Sequence, residues 1–291
     1  MCELFAMSSR IATTVDLSLD AFARHGSPPG RNVDGWGVVV YDDGDARQFR
    51  EPAPAGNSAW LRFIARNRLP SRLVLSHIRH ATQGAVALRN TQPFVRELGG
   101  HIHTFAHNGS LPGIEREADR AARFRPVGET DSEVAFCALL ERIAPLWRSG
   151  AAPSFASRLA VVRRFAALLR ERGPANFLYA DGDVLFAHGH RRLQRDGRIA
   201  PPALYHLTRS CAVDRDALPA AGVTIGAWSS PQTLTLVASV PLTAEAWTPV
   251  GEGEVIAVAA GELRGAPTPT RLQRSGMPLR RRRAISAARR H

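Results

Sequence analysis

The chain opens Met1-Cys2-Glu3-Leu4-Phe5, and a cysteine directly behind the initiator can do chemistry that an internal cysteine cannot. Once Met1 is removed, one residue carries both a thiol and a free α-amine. An α-amine titrates near ~7.7–8 and a thiol near ~8.5, so at neutral pH the amine can take the thiol proton, directly or through one water. Cys2 is therefore expected to act as nucleophile and general base at once. Attack of its thiolate on an amide carbonyl develops an oxyanion, which calls for preorganised donors. His107-Asn108-Gly109-Ser110 offers the Asn108 side-chain amide and the Gly109 N–H, with glycine permitting close approach. A substrate α-carboxylate calls for a planar, two-pronged donor such as Arg79 in Arg79-His80-Ala81-Thr82-Gln83-Gly84, and an α-ammonium calls for a carboxylate such as Asp131. Taken singly, each of these has a plain alternative: Asn-Gly as a turn, an aspartate before a helix as a cap, an arginine at a strand end as a surface group. Their joint occurrence with Cys2 is the argument for a site.

These groups must be held by strand ends and helix starts, and the patterning supplies both. Gly37 to Tyr41, an Asp42-Asp43-Gly44-Asp45 turn and Ala46 to Phe49 predict a hairpin. Leu73 to Ile78 and His101 to Ala106 predict strands that run into the two polar clusters. Ala175 to Ala180, an Asp181-Gly182 turn, Val184 to Ala187, Leu204 to Thr208, Leu234 to Val240 and Val255 to Ala259 predict further strands. Thr130-Asp131-Ser132-Glu133 has the spacing of a capping box and opens a helical apolar pattern, and Phe155 to Leu169 predicts a second amphipathic helix. Strands, then two helices, then strands imply two sheets covered by helices, not a repeating parallel array.

Composition excludes several rival chemistries. All 38 basic residues are arginine, which removes Schiff-base, pyridoxal-phosphate and P-loop lysines, and no cofactor is expected. No apolar run approaches the ~18–20 residues of a membrane span, so a cytoplasmic protein is expected. Cys137 and Cys211 show no CxxC spacing and are read as reduced, Cys137 in the core. His77, His80, His101, His103 and His107 invite a metal reading, but alternation puts His101 and His103 on one face without a matched carboxylate or thiolate set, and no metal site is expected. Nine of the arginines lie from Arg264 to His291, a segment without acids, so of the net charge of +12 the rest of the chain holds only +3. Residues 264–291 are expected to form a disordered arginine-rich tail behind a single domain of residues 1–263, and nucleic acid is expected to bind, if at all, only weakly through that tail.

Met1-Cys2, Asp34-Gly35-Trp36-Gly37, Arg79-x-x-Thr82-x-Gly84, His107-Asn108-Gly109 and Gly128-Glu129-Thr130-Asp131-Ser132-Glu133, in that order, resemble the class II glutamine amidotransferases, the cysteine branch of the N-terminal nucleophile (Ntn) hydrolases. The likeness is greatest to their stand-alone bacterial, YafJ-like members and covers roughly residues 1–263, most clearly the first half. The resemblance implies an α+β fold, a four-layer αββα sandwich. It also implies Cys2 as nucleophile, Asn108 and Gly109 as the oxyanion hole, Arg79 and Thr82 as holders of the glutamine α-carboxylate, and Asp131 as holder of its α-amine. The chain departs from the family at His80, where synthase-linked relatives usually carry Trp, at Gln83, where they often carry His, and at Glu3, where many carry Gly. The expected activity is cleavage of the γ-amide of glutamine or a γ-glutamyl compound through a Cys2 thioester. The alternatives are the glutaminase subunit of a complex that needs a separate synthase partner, and a non-catalytic scaffold with a basic arm.

Overall fold

The computed structural model describes residues 2–17, 34–55, 58–67, 69–117, 122–149, 151–194, 196–211, 218–220, 223–225 and 231–265. Two antiparallel sheets dominate it. The larger contains β1 (Glu3–Leu17), β2 (Trp36–Asp42), β3 (Asp45–Glu51), β4 (Pro70–Ile78), β11 (Tyr205–Cys211), β12 (Leu218–Ala220), β13 (Val223–Ile225), β14 (Gln232–Ala238) and β15 (Thr248–Pro249). Its strand order is β15-β11-β14-β1-β4-β2-β3, with β13 pairing the far end of β1. The smaller contains β5 (Phe94–Leu98), β6 (His101–Gly109), β7 (Ala175–Ala180), β8 (Leu185–His188), β16 (Val255–Ala259) and β17 (Glu262–Arg264), in the order β17-β16-β8-β7-β6-β5. A short ribbon pairs β9 (Arg192–Leu193) with β10 (Ile199–Ala200).

Three apolar clusters mark the three interfaces of a four-layer stack. Leu4, Ala6, Leu75, Ala106, Leu178, Ala187 and Val237 meet between the sheets. Phe105, Phe177 and Phe186 of the smaller sheet pack against α2 (Asp131–Ile143) and α3 (Phe155–Arg170) through Phe136, Leu139 and Phe165. On the opposite outer face, Phe5, Met7, Val38 and Val74 are covered by Ile64 of α1 (Ala59–Asn67) and by Leu242 and Trp247. This is the αββα sandwich, with a thick helical layer on one side and, among the described residues, one short helix on the other. Removing a buried aromatic from water contributes roughly 1.5–3 kcal/mol, and most of the fully buried phenylalanines lie in the cluster under α2 and α3.

The elements expected from patterning form with boundaries shifted by a few residues. The hairpin closes with Asp43 at φ 50° and Gly44 at φ 80°, the positive pair that a tight two-residue turn requires. Thr130 caps α2 by accepting the Glu133 N–H at 3.3 Å, but the return arm of the capping box is redirected: the Glu133 carboxylate takes the Gly128 N–H at 2.7 Å and pairs with Arg96 at 2.6 Å. Cys137 is buried in α2. His101 and His103 do share a face, and both rings pack against Trp147, at 4.6 and 4.9 Å. Arg264, placed in the tail by composition, closes β17 opposite Ala257, and residues 266–291 lie outside the described residues. No described helix is long and apolar enough to cross a membrane.

Candidate active site

Strand alternation assembles the site. Along β1, Leu4 and Ala6 point between the sheets while Phe5 and Met7 point outward, so Cys2, two residues before Leu4, continues the inner face. Leu73 and Leu75 of β4 face the same way, and the period carries through His77 to Arg79. In the opposite sheet Ala106 faces inward, which puts Asn108 on the inner face at the end of β6. Register brings the ends together, since Glu3 pairs with Ile78 and Leu4 with His77. Cys2, Arg79 and Asn108 thus stand where the inter-sheet core runs out.

Cys2, the expected nucleophile, is held on two sides. Cys2 Sγ accepts the His80 N–H at 3.3 Å and lies 3.4 Å from the His80 carbonyl oxygen, to which the thiol donates. Burial pushes the Cys2 thiol up from its ordinary value, and the His80 N–H works against that rise. Asn108 Nδ2 donates to the Cys2 carbonyl at 2.7 Å, tying the two sheets together at Cys2. A primary amide nitrogen has two hydrogens, so the second remains to serve an oxyanion. Beyond it, Ser110 donates its N–H to Pro174 O at 3.1 Å on the β7 side. Alternation then turns the Gly109 N–H to the opposite edge. Only glycine fits there: a Cβ on Gly109 would lie 1.8 Å from Pro174 O.

The residues expected to grip an amino acid sit on two neighbouring segments. Arg79 is buried and curls the following loop around its guanidinium, donating to the carbonyls of Gln83 (2.9 Å), Gly84 (3.2 Å) and Ala85 (3.1 Å). Thr82 lies exposed in this loop. Asp131, at the first turn of α2, accepts N–H groups from Leu111 and Ser132, each at 2.8 Å. Gln83 and Asp131 line a common cavity of ≈ 150 Å³ with Leu111, Ile114, Glu129 and Val134. Among the described residues no group of three or more His, Cys, Asp or Glu side chains is arranged to hold a metal ion.

Four supporting residues carry no local signal in the sequence. Asn90, fully buried, donates to Ala85 O at 3.0 Å and to Glu129 Oε2 at 2.8 Å while its Oδ1 accepts the Glu129 N–H at 2.9 Å, so it clasps the Arg79 loop to the segment before Asp131. Gln92 bonds both the N–H and the carbonyl of His107, at 2.6 and 3.2 Å, in place of a strand neighbour. A Cβ on Gly37 would meet Gln92 O at 2.2 Å, which accounts for the second glycine of Asp34-Gly35-Trp36-Gly37. Asn176 donates to Asn108 O at 2.9 Å from β7. Glu3, one of the departures from the family pattern, is fully buried and pairs at 2.9 Å with Arg192, which also donates to Ser239 O at 2.6 Å. Apart from the Asn90 bond to Ala85, the partners of these residues lie 15 to 189 positions away, and only folding shows them.

A family model described as class-II glutamine amidotransferases matches residues 1–280. The chain is 35% identical over 260 residues, 87% of its own length and 96% of the relative's, to YafJ of Escherichia coli strain K12, whose assignment as a glutamine amidotransferase is itself provisional. A Haemophilus influenzae protein with the same provisional assignment is 30% identical over 264 residues, 90% of this chain and 85% of that one. Among solved structures, a glutamine amidotransferase assigned by prediction in Pseudomonas aeruginosa PA01 superposes with a TM-score of 0.66 at 31% identity, covering 91% of this chain and all of that one. The glutamine phosphoribosylpyrophosphate amidotransferase of B. subtilis shares the fold, with a TM-score of 0.56 at 15% identity over 90% of this chain and 48% of that one.

Proposed function

The chain belongs to the class-II glutamine amidotransferases, and from that premise we propose that it hydrolyses the γ-amide of glutamine or of γ-glutamyl compounds through a thioester on Cys2. The observation that carries this reading is the Asn108 Nδ2 to Cys2 carbonyl bond at 2.7 Å, which sets an amide donor beside the nucleophile at the meeting of two sheets. With Met1 removed, the Cys2 amine takes the thiol proton and the thiolate attacks the γ-carbonyl. Asn108 Nδ2 and the Gly109 N–H receive the oxyanion. Arg79 and Thr82 hold the α-carboxylate and Asp131 the α-ammonium, so the scissile bond is delivered by its amino-acid end. As the intermediate collapses the C–N bond breaks, the nitrogen leaves as ammonia or an amine with the proton held by the Cys2 ammonium, and the γ-carbonyl re-forms as the thioester. Water, giving a proton back to the Cys2 amine, then cleaves the thioester, releases glutamate and restores the thiol.

Between hydrolysis of γ-glutamyl amides and service as a glutaminase subunit, the state of His80 favours hydrolysis. Its backbone touches the Cys2 sulfur and its side chain is 32% exposed, which together support a reading in which the site accepts a leaving group larger than ammonia. The test is turnover of a panel of γ-glutamyl amides by purified protein, with intact mass and labelling of Cys2 by a diazo-ketone glutamine analogue. The expected result is loss of Met1, one label on Cys2, and partner-free hydrolysis of small γ-glutamyl amides at least matching that of glutamine. Full activity with Met1 retained overturns the base assignment. Strict glutamine selectivity, with a rate that rises many-fold only when a second protein is added, overturns free-standing hydrolysis.

A further inference from the structure

Glu3 departs from the family pattern and takes no part in the reaction above, yet it is the covalent neighbour of Cys2 and is fully buried. Its Oε1 pairs with Arg192 Nη2 at 2.9 Å. Arg192, itself buried at the start of β9, also donates through Nη1 to Ser239 O at 2.6 Å. Ser239 in turn holds Leu4 on both sides, since its Oγ accepts the Leu4 N–H at 2.9 Å and its own N–H donates to Leu4 O at 3.0 Å. One guanidinium thus grips the first residue of β1 and the residue that follows β14.

The segment that carries Arg192 comes from the opposite sheet, where it leaves β8 at His188. On its way Asn176 of β7 accepts the His190 N–H at Oδ1 (2.8 Å) and donates through Nδ2 to Arg191 O (2.7 Å) and to Asn108 O (2.9 Å). Asn108 Nδ2 donates to Cys2 O at 2.7 Å. These bonds close a circuit: Cys2 to Asn108, Asn108 to Asn176, Asn176 to the backbone of Arg191, Arg192 to Glu3, and Glu3 back to Cys2 through the peptide bond. The side chains of Glu3, Asn108, Asn176 and Arg192 that carry it are all buried. The expected nucleophile and the expected oxyanion donor are both members.

Burying an ion pair adds little net stability, because desolvation of both charges offsets their attraction. Burial pushes the Glu3 carboxyl up from its ordinary value, and the Arg192 guanidinium is the main influence against that rise. What a fixed, directional pair supplies is placement. With Met1 removed, Cys2 has a covalent neighbour on one side only, and chain ends are poorly ordered unless tied down. An oxyanion donor in turn acts only at the right distance from the reacting carbon, and a misplacement of about 1 Å can cost ~10²-fold in rate. We propose that Glu3 and Arg192 are positioning residues that set Cys2 against Asn108 and so keep the nucleophile and the oxyanion hole in register across the two sheets. The proposal rests on the amide-cleavage reading above.

The test is a mutant cycle on the hydrolysis of glutamine and γ-glutamyl-methylamide. The paired substitution Glu3→Gln with Arg192→Met removes both charges together, so that neither is left buried and alone. In the wild-type background it should lower kcat by ~10-fold or more with KM changed by less than about 3-fold. In an Asn108→Ala background the same pair should lower kcat by less than about 3-fold, because the donor it places is gone. Alkylation of Cys2 by iodoacetamide develops no oxyanion and should stay within about 3-fold of wild type. Should the paired variant misfold, Glu3→Asp, which keeps both charges and draws the carboxylate back by one methylene, should show the same dependence on Asn108 with a smaller loss. Equal fold losses in the two backgrounds, an alkylation rate that falls as far as kcat, or an unchanged kcat in the paired variant would each overturn the proposal while leaving amide cleavage standing. A wild-type enzyme that cleaves neither substrate overturns both.

Discussion

The two sheets bring different things to the same site. The nine-stranded sheet delivers Cys2, Arg79 and His80 on strand ends that lead into a loop whose residues Thr82 to Val86 are exposed. The six-stranded sheet and its helix deliver Asn108 and Asp131 on elements locked by neighbours: Asn176 and Gln92 on either side of β6, Leu111 and Ser132 around Asp131. One wall is anchored by backbone pairing with β7 on one flank and by the Gln92 side chain on the other, while the other relies on one arginine and one asparagine to shape its loop. With the proposed roles, the oxyanion donors fall on the wall with more partners and the substrate grip is split between Arg79 on one wall and Asp131 on the other, in keeping with the need to place oxyanion donors before charge develops.

Mutations that remove a chemical group should break this comparison hardest. Cys2→Ala should abolish turnover, and Asn108→Ala, on the wall with more partners, should lower kcat by ~10²–10³, the cost of one oxyanion donor, with little change in KM. Steady-state kinetics on a γ-glutamyl amide checks both. Near-normal turnover in Cys2→Ala would end the case for covalent catalysis.

Loosening the proposed substrate grip, which spans both walls, should read out as binding. Arg79→Ala and Asp131→Ala should raise KM by roughly tenfold or more with a smaller loss in kcat, since both ends of the amino acid are held in ground and transition states alike. Asn90→Ala touches neither end, yet it unfastens the loop from Glu129 and removes the buried side chain that bonds the Ala85 carbonyl and the Glu129 N–H. It should raise KM by several-fold and cost about 1–3 kcal/mol of stability. If Asn90→Ala lowers kcat as strongly as Asn108→Ala, the proposed division between the walls is wrong.

The walls also differ in response to acid. On the helix-covered face of the smaller sheet, burial holds His103 and His188 down to about 4, and between the sheets it holds His77 down to about 3. Each is neutral when folded and free to protonate near its ordinary value of ~6.5 when unfolded, so the unfolded state binds more protons below that pH. Their contribution to stability is complete above pH ~6.5 and is lost as pH falls toward 4 and then 3. Melting temperature should drop across that window. His103→Gln should flatten the slope, because it removes one titrating group whose Nδ1 lies 2.7 Å from the Tyr179 hydroxyl. An unchanged slope in that variant would show that other groups govern acid unfolding.

The smallest effect is expected from the tail. Deleting residues 266–291 should change amide hydrolysis by less than about 2-fold, since none of the site residues lies there, while any nucleic-acid affinity should disappear with it and fall steeply with salt. Loss of folding on truncation would move the domain boundary beyond Gly265.

How much of this was readable beforehand follows the range of each interaction. The hairpin of β2 and β3 is written in four turn residues, and the start of α2 in Thr130 and Glu133, because both are decided within a few positions. The site residues could be named because their types match a chemistry and their order matches a family. By contrast β1, at 15 residues with a register shift between Ser8 and Thr13, carries little alternation to announce it and is made a strand by β4 and β14 on its two sides.

The sequence by itself determined which chemistry was available: a thiol behind the initiator, donors at strand ends, no lysine, and local signals for most strands and both long helices. Tertiary structure alone decided what those groups face. Glu3 finds Arg192 across 189 positions, Asn108 finds Cys2 across 106, and Asn90 finds Glu129 across 39. Such bonds depend on sheet order and layer packing, which are set by the sum of many weak apolar contacts and leave no mark in the residues beside them.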